Sequence, residues 1–256
     1  MDLRELPKNN ENRHPWEMAR AEVAKSLVDH HCSNYEDKNI LDLGCGDLFF
    51  LTKFSKDKTS AKFYAIDTAF TDEYLETNKG SSIKLYKSLD KLPKDEELVF
   101  DLVFIMDVVE HIEDDHGFIN TLRESAFISP ETIIFITVPA FQNLFCSHDK
   151  FLGHFRRYTN KSLENLISKS GFDKIQVGYF FFSLLLPRYI EVIKERNLGN
   201  KIYKEGTGLT RWTTNNFITQ YIARLLYFDF MIFNLFNSIG IKFPGLSNYI
   251  VCRKSV

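Results

Sequence analysis

Short apolar runs alternate with segments of helical periodicity along most of the chain. The helical segments carry apolar residues three or four positions apart, as at Trp16, Ala19, Val23 and Leu27. They predict helices over Pro15–His31, Leu48–Ser55, Asp72–Asn78, Asp115–Phe127 and Asn160–Lys169. The apolar runs predict strands over Asn39–Leu43, Ala61–Ile66, Ser82–Tyr86, Leu98–Met106 and Thr132–Val138. Such alternation indicates parallel strands joined by helical crossovers, and therefore an α/β fold.

The C-terminal part of the chain adds two strands with a long insertion between them. Lys174–Tyr179 and Ser247–Arg253 have the apolar content of strands, but far more residues separate them than a usual connection contains. The insertion predicts a helix around Leu185–Arg196, a polar stretch from Asn197 to Arg211 and a long helix from about Thr214 to Asn237. We therefore expect a seven-stranded, mainly parallel sheet from residues 1–180 and 241–256, with helices on both faces, and a helical cap of residues 181–240.

The long helix of the insertion is apolar on nearly every side. Its apolar positions include Phe217, Ile218, Tyr221, Leu225, Phe228, Ile232 and Leu235. Such a helix has to be buried, paired with a partner or laid on a membrane surface. Five basic residues between Lys194 and Arg211 flank it and suit an anionic lipid surface, while three glutamates between Glu191 and Glu205 reduce that charge. A soluble lid over a site or a dimer interface is therefore favoured over a membrane surface, which stays open as an alternative.

Composition and charge narrow the class of protein. The 256 residues include 32 basic and 34 acidic side chains mixed along the chain, with a formal charge of -2. No long-range field attracts polyanions, so we expect no nucleic-acid partner. The four cysteines are too far apart for a metal or redox motif, which suits a reducing cytoplasm. The polar start does not resemble an export signal, and no apolar run is long enough to span a membrane.

A strand, a glycine-containing turn and a helix follow one another at residues 39–55. Asp42 stands near the end of the strand, and Gly44 and Gly46 lie where the chain turns and a ligand can approach the backbone. Asp67 follows the next strand, where a carboxylate can accept hydrogen bonds from both hydroxyls of a ribose. A dinucleotide fingerprint would need glycine in place of Phe49, which disfavours a pyrophosphate site and leaves a nicotinamide-dependent oxidoreductase as the weaker alternative.

The segment Ile40–Asp47, with Asp67, resembles the cofactor loop of class I S-adenosylmethionine-dependent methyltransferases. In that family the motif is D/E-x-G-x-G-x-G, and its last glycine is Leu48 here. The resemblance implies a Rossmann-like fold with S-adenosylmethionine as cofactor. It implies cofactor-binding roles for Asp42, Gly44, Cys45, Gly46, Asp67, Thr68, Ser88, Leu89, Met106, Asp107 and His111. If Leu48 crowds the pocket, the chain is instead a non-catalytic module with a degenerate cofactor site.

Two further segments resemble a bacterial subset of these enzymes that methylates small molecules. The segment HPWExxR begins at His14, and Trp16 and Arg20 share a helix face from which Arg20 can reach the carboxylate of the cofactor. The segment HDxxxGHxRRY begins at His148, after the fifth strand, at the sheet edge where α/β proteins bind ligands. The resemblance implies that both segments adjoin the active site.

The second segment contains the candidate catalytic residues. We expect His148 or His154, oriented by Asp149, to remove a proton from an acceptor hydroxyl or amine. The expected substrate-binding residues are Arg156, Arg157, Tyr158 and Glu110. No metal is predicted, but a metal site of His148, Asp149 and His154 stays open as an alternative. So does a loop held in place by arginine–carboxylate pairs.

Together the motifs predict methyl transfer from S-adenosylmethionine to an oxygen or nitrogen of a small molecule, sugar, glycan or lipid-linked intermediate. The many aromatic residues of the insertion favour a lid or a cavity for an apolar substrate. We expect a cytoplasmic protein, or one bound peripherally at the inner membrane face through its cap. A monomer and a homodimer are both compatible with the sequence.

Overall fold

The computed structural model describes residues 13–32, 34–93, 98–198, 212 and 215–256. Its strands are β1 (Asn39–Leu43), β2 (Lys62–Ile66), β3 (Ile83–Tyr86), β4 (Leu102–Met106), β5 (Ile133–Pro139), β6 (Phe172–Phe180) and β7 (Ser247–Lys254). They form a sheet in the order β3-β2-β1-β4-β5-β7-β6. The pairings of β7 with β5 and β6 are antiparallel, and the other strand pairings are parallel. The predicted Rossmann-like, mainly parallel sheet of seven strands is confirmed.

Helices connect these strands. They are α1 (Pro15–Asp29), α2 (Phe49–Ser55), α3 (Asp72–Thr77), α4 (Asp115–Glu124), α5 (Ser147–Leu152), α6 (Asn160–Lys169), α7 (Leu185–Leu198) and α8 (Asn216–Ser238). Pro15 occupies the first turn of α1, where its missing N–H removes no helical hydrogen bond. The sequence did not predict α5, because a helix of six residues is too short to show helical periodicity.

Several predicted boundaries differ from the structure. β4 begins at Leu102 rather than Leu98, because the apolar residues before it are buried in a loop whose Phe100 N–H donates to the Phe127 carbonyl at 2.9 Å. β6 begins at Phe172, two residues before the predicted start at Lys174. Asn197, predicted to begin a polar stretch, belongs to α7. The rest of that stretch, residues 199–211, lies outside the described residues, as does the predicted start of the long helix at Thr214.

Helices cover both faces of the sheet. On one face, Leu27 of α1, Leu51 of α2 and Phe230 of α8 pack in one buried cluster with inward residues of the strands, such as Phe104. On the other face, residues of α4 and α6 pack against alternate strand positions, such as Val103. Side chains of a strand point alternately to the two faces, so one apolar strand supplies both clusters. The two layers hold the carboxyl ends of the parallel strands at one edge.

The long helix α8 has one buried and one exposed side. Ala223, Leu226 and Phe230 are buried in the main core, where α8 packs against α1 and β6. The opposite side is apolar and exposed, with Phe217 and Leu235 at 78 % and 69 % exposure. Within the described residues no helix is both long and apolar enough to cross a bilayer. The division of the chain into a main domain and a cap stays a prediction.

Candidate functional site

The turn after β1 brings glycine backbone close to the neighbouring strands. Gly44 and Gly46 have φ angles of +80° and +59°, which side chains rarely tolerate, and Cys45 between them is buried. The Gly44 N–H donates to the Ile66 carbonyl at 2.8 Å, and a Cβ on Gly44 would lie 2.3 Å from Val108 Cγ2. Conformation and space therefore both require glycine at position 44.

Asp67, just after β2, orders this turn. One carboxylate oxygen accepts a hydrogen bond from the Gly46 N–H at 2.8 Å, and the other accepts one from the Ala69 N–H at 2.9 Å. A carboxylate offers about four lone-pair sites, so Asp67 can still accept hydrogen bonds from ligand hydroxyls. Thr68 is exposed beside it, while Ser88 and Leu89 lie half-buried after the adjacent strand β3. The four residues share the carboxyl edge of β2 and β3.

Asp42 is buried beneath the glycine turn. Neither of its carboxylate oxygens has a hydrogen-bond partner among the described residues. Burial raises the pKa of Asp42 to about 7. With Arg20, Gly44 and Met106 it lines a small pocket of about 10 Å³, which is room for about one water molecule. A buried carboxylate without donors is costly, so this position favours a ligand that brings a cation or N–H groups.

Helix α1 closes over the turn. The Arg20 guanidinium is buried, pairs with the Asp107 carboxylate that follows β4, and lies 4.6 Å from the centre of the Trp16 ring. Just before α1, Arg13 pairs with Asp47 of the glycine loop. Two ion pairs therefore tie α1 and the residue before its cap to the end of β4 and to the glycine loop. Arg20 was predicted to reach a cofactor carboxylate, and the structure places it beside the Asp42 pocket with Asp107 as its partner.

A cavity of about 540 Å³ lies on the other side of Arg20, at the ends of β4 and β5. Its volume is typical of small-molecule sites. The predicted site residues that line it are Trp16, Arg20, Asp107, Glu110, His111, His148, His154 and Arg157. The structure thus brings residues of the two segments HPWExxR and HDxxxGHxRRY to one cavity, together with the end of β4.

Asp149 of α5 is fully buried behind His154, Arg157 and Arg188, which line this cavity. It accepts hydrogen bonds from His154 Nδ1 at 2.9 Å, Arg157 Nε at 2.8 Å and Arg188 Nη2 at 3.3 Å. Burial raises the pKa of Asp149, but the hydrogen bond from His154 and the charge of Arg157 more than offset this and hold it below its ordinary range. An ionised carboxylate only accepts, so His154 carries a proton on Nδ1 and its Nε2 is left for other contacts. The metal site proposed as an alternative, with Asp149 as ligand, is disfavoured because its oxygens already hold these donors.

Three further polar side chains, those of Glu110, His111 and His148, line the cavity. Burial, and then the charge of Arg188, lower the pKa of His148 to about 4, so that its imidazole is neutral near pH 7. Glu110 is fully buried, neither of its oxygens has a hydrogen-bond partner among the described residues, and burial raises its pKa to about 8. The rings of His111 and His154 meet edge to face with their centroids 4.6 Å apart. Both predicted histidine bases therefore lie at the cavity.

The predicted substrate-binding residues fall into two groups. Arg157 and Glu110 line the cavity, and the Arg157 guanidinium is committed to Asp149. Arg156 instead pairs with Asp115 at the start of α4 at 2.6 Å, and the Tyr158 hydroxyl donates to the same carboxylate at 2.7 Å. The structure does not bring Arg156 and Tyr158 to the cavity, because consecutive side chains of an extended segment point to opposite sides.

A sequence profile described as a methyltransferase domain matches residues 16–177, more than half of the chain. The chain belongs to this methyltransferase family. Comparison with curated proteins gives no match.

Solved structures with the fold of this methyltransferase are distant in sequence. A SAM dependent methyltransferase from Archaeoglobus fulgidus is 16% identical with a TM-score of 0.51, and 91% of this chain and 94% of that chain are covered. The plantazolicin methyltransferase BpumL in complex with SAH is 15% identical with a TM-score of 0.53, over 94% and 85% of the two chains. The [4+2]-cyclase SpnF is 12% identical with a TM-score of 0.56, over 99% and 91%. These identities show the fold alone, and because one neighbour is a cyclase, chemistry has to be argued from the site.

The departure of this methyltransferase from the family motif at Leu48 leaves the turn intact. Leu48 has a φ of +65°, the left-handed conformation that glycine adopts most easily. Its side chain packs against the main core and does not line the Asp42 pocket or the large cavity. Leu48 therefore keeps a glycine-like backbone and turns its side chain away from the pocket, at a conformational cost of about 1–2 kcal/mol.

Sequence reasoning missed Arg188 of α7. This arginine lines the cavity and donates to Asp149 and, through Nη1, to Glu191 at 3.0 Å. Its buried Nε has no hydrogen-bond partner among the described residues. No local signal marks Arg188, since 39 positions separate it from Asp149 and only the tertiary fold joins them.

Proposed function

We propose that this methyltransferase binds S-adenosylmethionine on the turn after β1 and transfers the methyl group to an acceptor in the 540 Å³ cavity. The observation that carries the proposal is Asp42, a buried carboxylate at a glycine turn whose oxygens have no partner among the described residues. The ammonium of the methionine moiety is a donor that such a carboxylate stabilises. Asp67 retains acceptor sites for ribose hydroxyls, and Arg20 would bind the methionine carboxylate.

The residues around the cavity suit methyl transfer to oxygen or nitrogen. Bound S-adenosylmethionine supplies a methyl group on a sulfonium, which a nucleophile displaces in line, so alignment contributes much of the catalysis. Because Asp149 holds the proton on His154 Nδ1, the Nε2 of His154 can take a proton from the hydroxyl or amine that is methylated. His148 is neutral near pH 7 and is the second candidate base. Arg188, whose Nε has no hydrogen-bond partner among the described residues, would bind an anionic group of the acceptor.

Calorimetry with S-adenosylmethionine tests the cofactor half of the proposal. Full-length protein should bind it with a micromolar Kd, and Asp67→Asn should weaken binding at least tenfold, since it removes a charge-assisted acceptor. Thr52→Ala, an exposed change on α2, is the matched control and should bind as the wild type does. Folded protein that binds neither S-adenosylmethionine nor SAH would refute the proposal and favour the non-catalytic module.

We further propose that the acceptor is lipid-linked and that the enzyme rests on an anionic membrane surface. α7 lines the cavity with Pro187 and Arg188 and leaves an apolar side exposed. The exposed apolar residues of α7 and α8 include Leu186, Tyr189, Ile190, Ile193, Phe217, Tyr221, Leu225, Phe228 and Leu235. Among residues 217–239 of the described chain, Arg224 is the exposed charged side chain, and on α7 the basic Lys194 and Arg196 are exposed together with the acidic Glu191. This combination of an apolar face and basic residues is typical of helices that lie in a bilayer interface.

Vesicle sedimentation separates a membrane from a second copy of the chain as the occupant of this surface. The protein should sediment with vesicles of phosphatidylglycerol and phosphatidylcholine more than with phosphatidylcholine alone. The double change Leu225→Glu and Phe228→Glu should abolish sedimentation, whereas Thr77→Glu on α3 adds a charge elsewhere and should not. The membrane assignment would be overturned if the protein sediments with neither kind of vesicle and forms a dimer in analytical ultracentrifugation that the double variant does not form.

A further inference from the structure

Three potential metal ligands meet at the wall of the cavity. Glu110 and His111 follow β4 in a short 3-10 turn, and His154 follows α5. One ligand atom of each lies within 4.8 Å of the others. The Phe155 N–H donates to the Glu110 carbonyl at 2.8 Å, so the backbone itself holds the two segments together. The sequence did not predict this group, because His154 comes 43 positions after His111 in the chain.

The Glu110 carboxylate independently points to a ligand. It is fully buried, lines the cavity, and neither oxygen has a hydrogen-bond partner among the described residues. A buried carboxyl group that is ionised is normally paired with a cation or bound to a metal, and a neutral one still needs hydrogen-bond partners. The three arginines at this cavity have other carboxylate partners, since Arg20 pairs with Asp107 and both Arg157 and Arg188 pair with Asp149. An ion-pair role in the folded protein therefore does not account for Glu110.

His154 is already oriented as a metal ligand. Its Nδ1 donates to the buried Asp149 carboxylate at 2.9 Å, which leaves Nε2 with a lone pair. A carboxylate that holds the far nitrogen of an imidazole is the usual outer-shell arrangement of metal-binding histidines, where it fixes the tautomer and the ring orientation. Asp149 is held in turn by Arg157 Nε at 2.8 Å.

We propose that Glu110, His111 and His154 bind a divalent transition-metal ion of the zinc class, facing the cavity. Two imidazoles and one carboxylate match zinc sites that keep an open position, whereas magnesium and calcium prefer oxygen ligands throughout. The open position faces the cavity that we assign to the acceptor, and in that respect the inference rests on the proposed function. There the ion would bind an oxygen or nitrogen of the acceptor and fix its orientation. With the ion bound, His154 Nε2 is a ligand, and His148, which lines the same cavity, is then the candidate base.

Cobalt(II) is the probe for this site, because its visible absorption reports ligand geometry without any turnover. Full-length protein freed of purification tags should bind one equivalent of Co²⁺, which Zn²⁺ displaces. His111→Ala and the nearly isosteric Glu110→Gln should lower the affinity by more than the roughly 10- to 100-fold that loss of an outer-shell partner costs. His116→Ala is the matched control, because this exposed histidine of α4 hydrogen-bonds Asn120 away from the cavity.

Three outcomes distinguish this inference from the proposed function. Wild-type affinity in Glu110→Gln and His111→Ala, or the absence of Co²⁺ binding in protein that binds S-adenosylmethionine, would overturn the metal site alone. Co²⁺ binding in protein that does not bind S-adenosylmethionine would support the metal site and refute the proposed function. Circular dichroism and thermal unfolding establish that each variant is folded. His154→Asn, a smaller change than alanine at this half-buried position, repeats the test at the third ligand.

Discussion

Replacing Asp42 with asparagine should change how the stability of the protein depends on pH. The carboxyl has an ordinary pKa of 3.8, which burial raises to about 7 in the folded protein. Between these values the folded state holds a proton that the unfolded state has lost. The stabilisation is therefore fully present below pH 3.8 and disappears as the pH rises through 7. The linkage between proton binding and folding predicts that the free energy of unfolding falls by about 3 kcal/mol between pH 5 and pH 9. Asparagine does not titrate, so Asp42→Asn should lack this part of the pH dependence.

Urea unfolding at a series of pH values measures this difference. The free energy of unfolding of Asp42→Asn minus that of the wild type should rise by about 3 kcal/mol from pH 5 to pH 9. Thr52→Ala should keep the wild-type pH dependence, and Asp42→Asn should also lose affinity for S-adenosylmethionine. Parallel curves for Asp42→Asn and the wild type would show that Asp42 is not a lone buried carboxylate, and the cofactor site would lose its main support.

Three further predictions concern the glycine turn and the cavity wall. Gly44→Ala should lower the free energy of unfolding by at least about 2 kcal/mol, because position 44 has a positive φ and the added Cβ would contact Val108. Adding Val108→Ala to this variant should restore part of the lost stability in chemical unfolding. An unchanged free energy of unfolding in Gly44→Ala would contradict the geometry of the turn. His154→Ala should lower turnover while calorimetry gives a Kd for S-adenosylmethionine within about twofold of wild type, a margin below 0.5 kcal/mol; equal loss of cofactor binding would count against a role at the acceptor. Arg157→Ala should cost about 3 kcal/mol or more in thermal unfolding, because it leaves the Asp149 charge buried with one donor fewer, and a neutral effect would show that Asp149 is solvated.

The fold was largely predictable because periodicity is a local property. Each strand of the sheet is an apolar run whose alternate residues enter the two core clusters, and the helices between them repeat apolar residues every three or four positions. The errors lie where burial does not require a strand, as at Phe100, which is fully buried in a loop, and where a helix is short, as in α5. Apolar character reports burial, and only hydrogen bonding decides whether a buried segment is a strand.

The turn that we assign to the cofactor was also readable in the sequence, because most of its residues are neighbours in the chain. Asp42 in β1 and Gly44 and Gly46 in the turn after it are close together in the chain, and the structure joins them to Asp67 through the register of β1 and β2. The consequence of Leu48 was not readable. Its left-handed backbone and its packing against the core depend on where α2 sits on the sheet.

The sequence by itself determined the alternation of strands and helices and the chemistry of the β1 turn, because both depend on residues close together in the chain. Only the tertiary structure decided that Arg20 pairs with Asp107, that Asp149 gathers His154, Arg157 and Arg188, and that Arg156 faces away from the cavity. It also decided that Glu110 is buried without a partner among the described residues. Such partners come from segments far apart in sequence, and the packing of helices on the sheet brings them within hydrogen-bond distance.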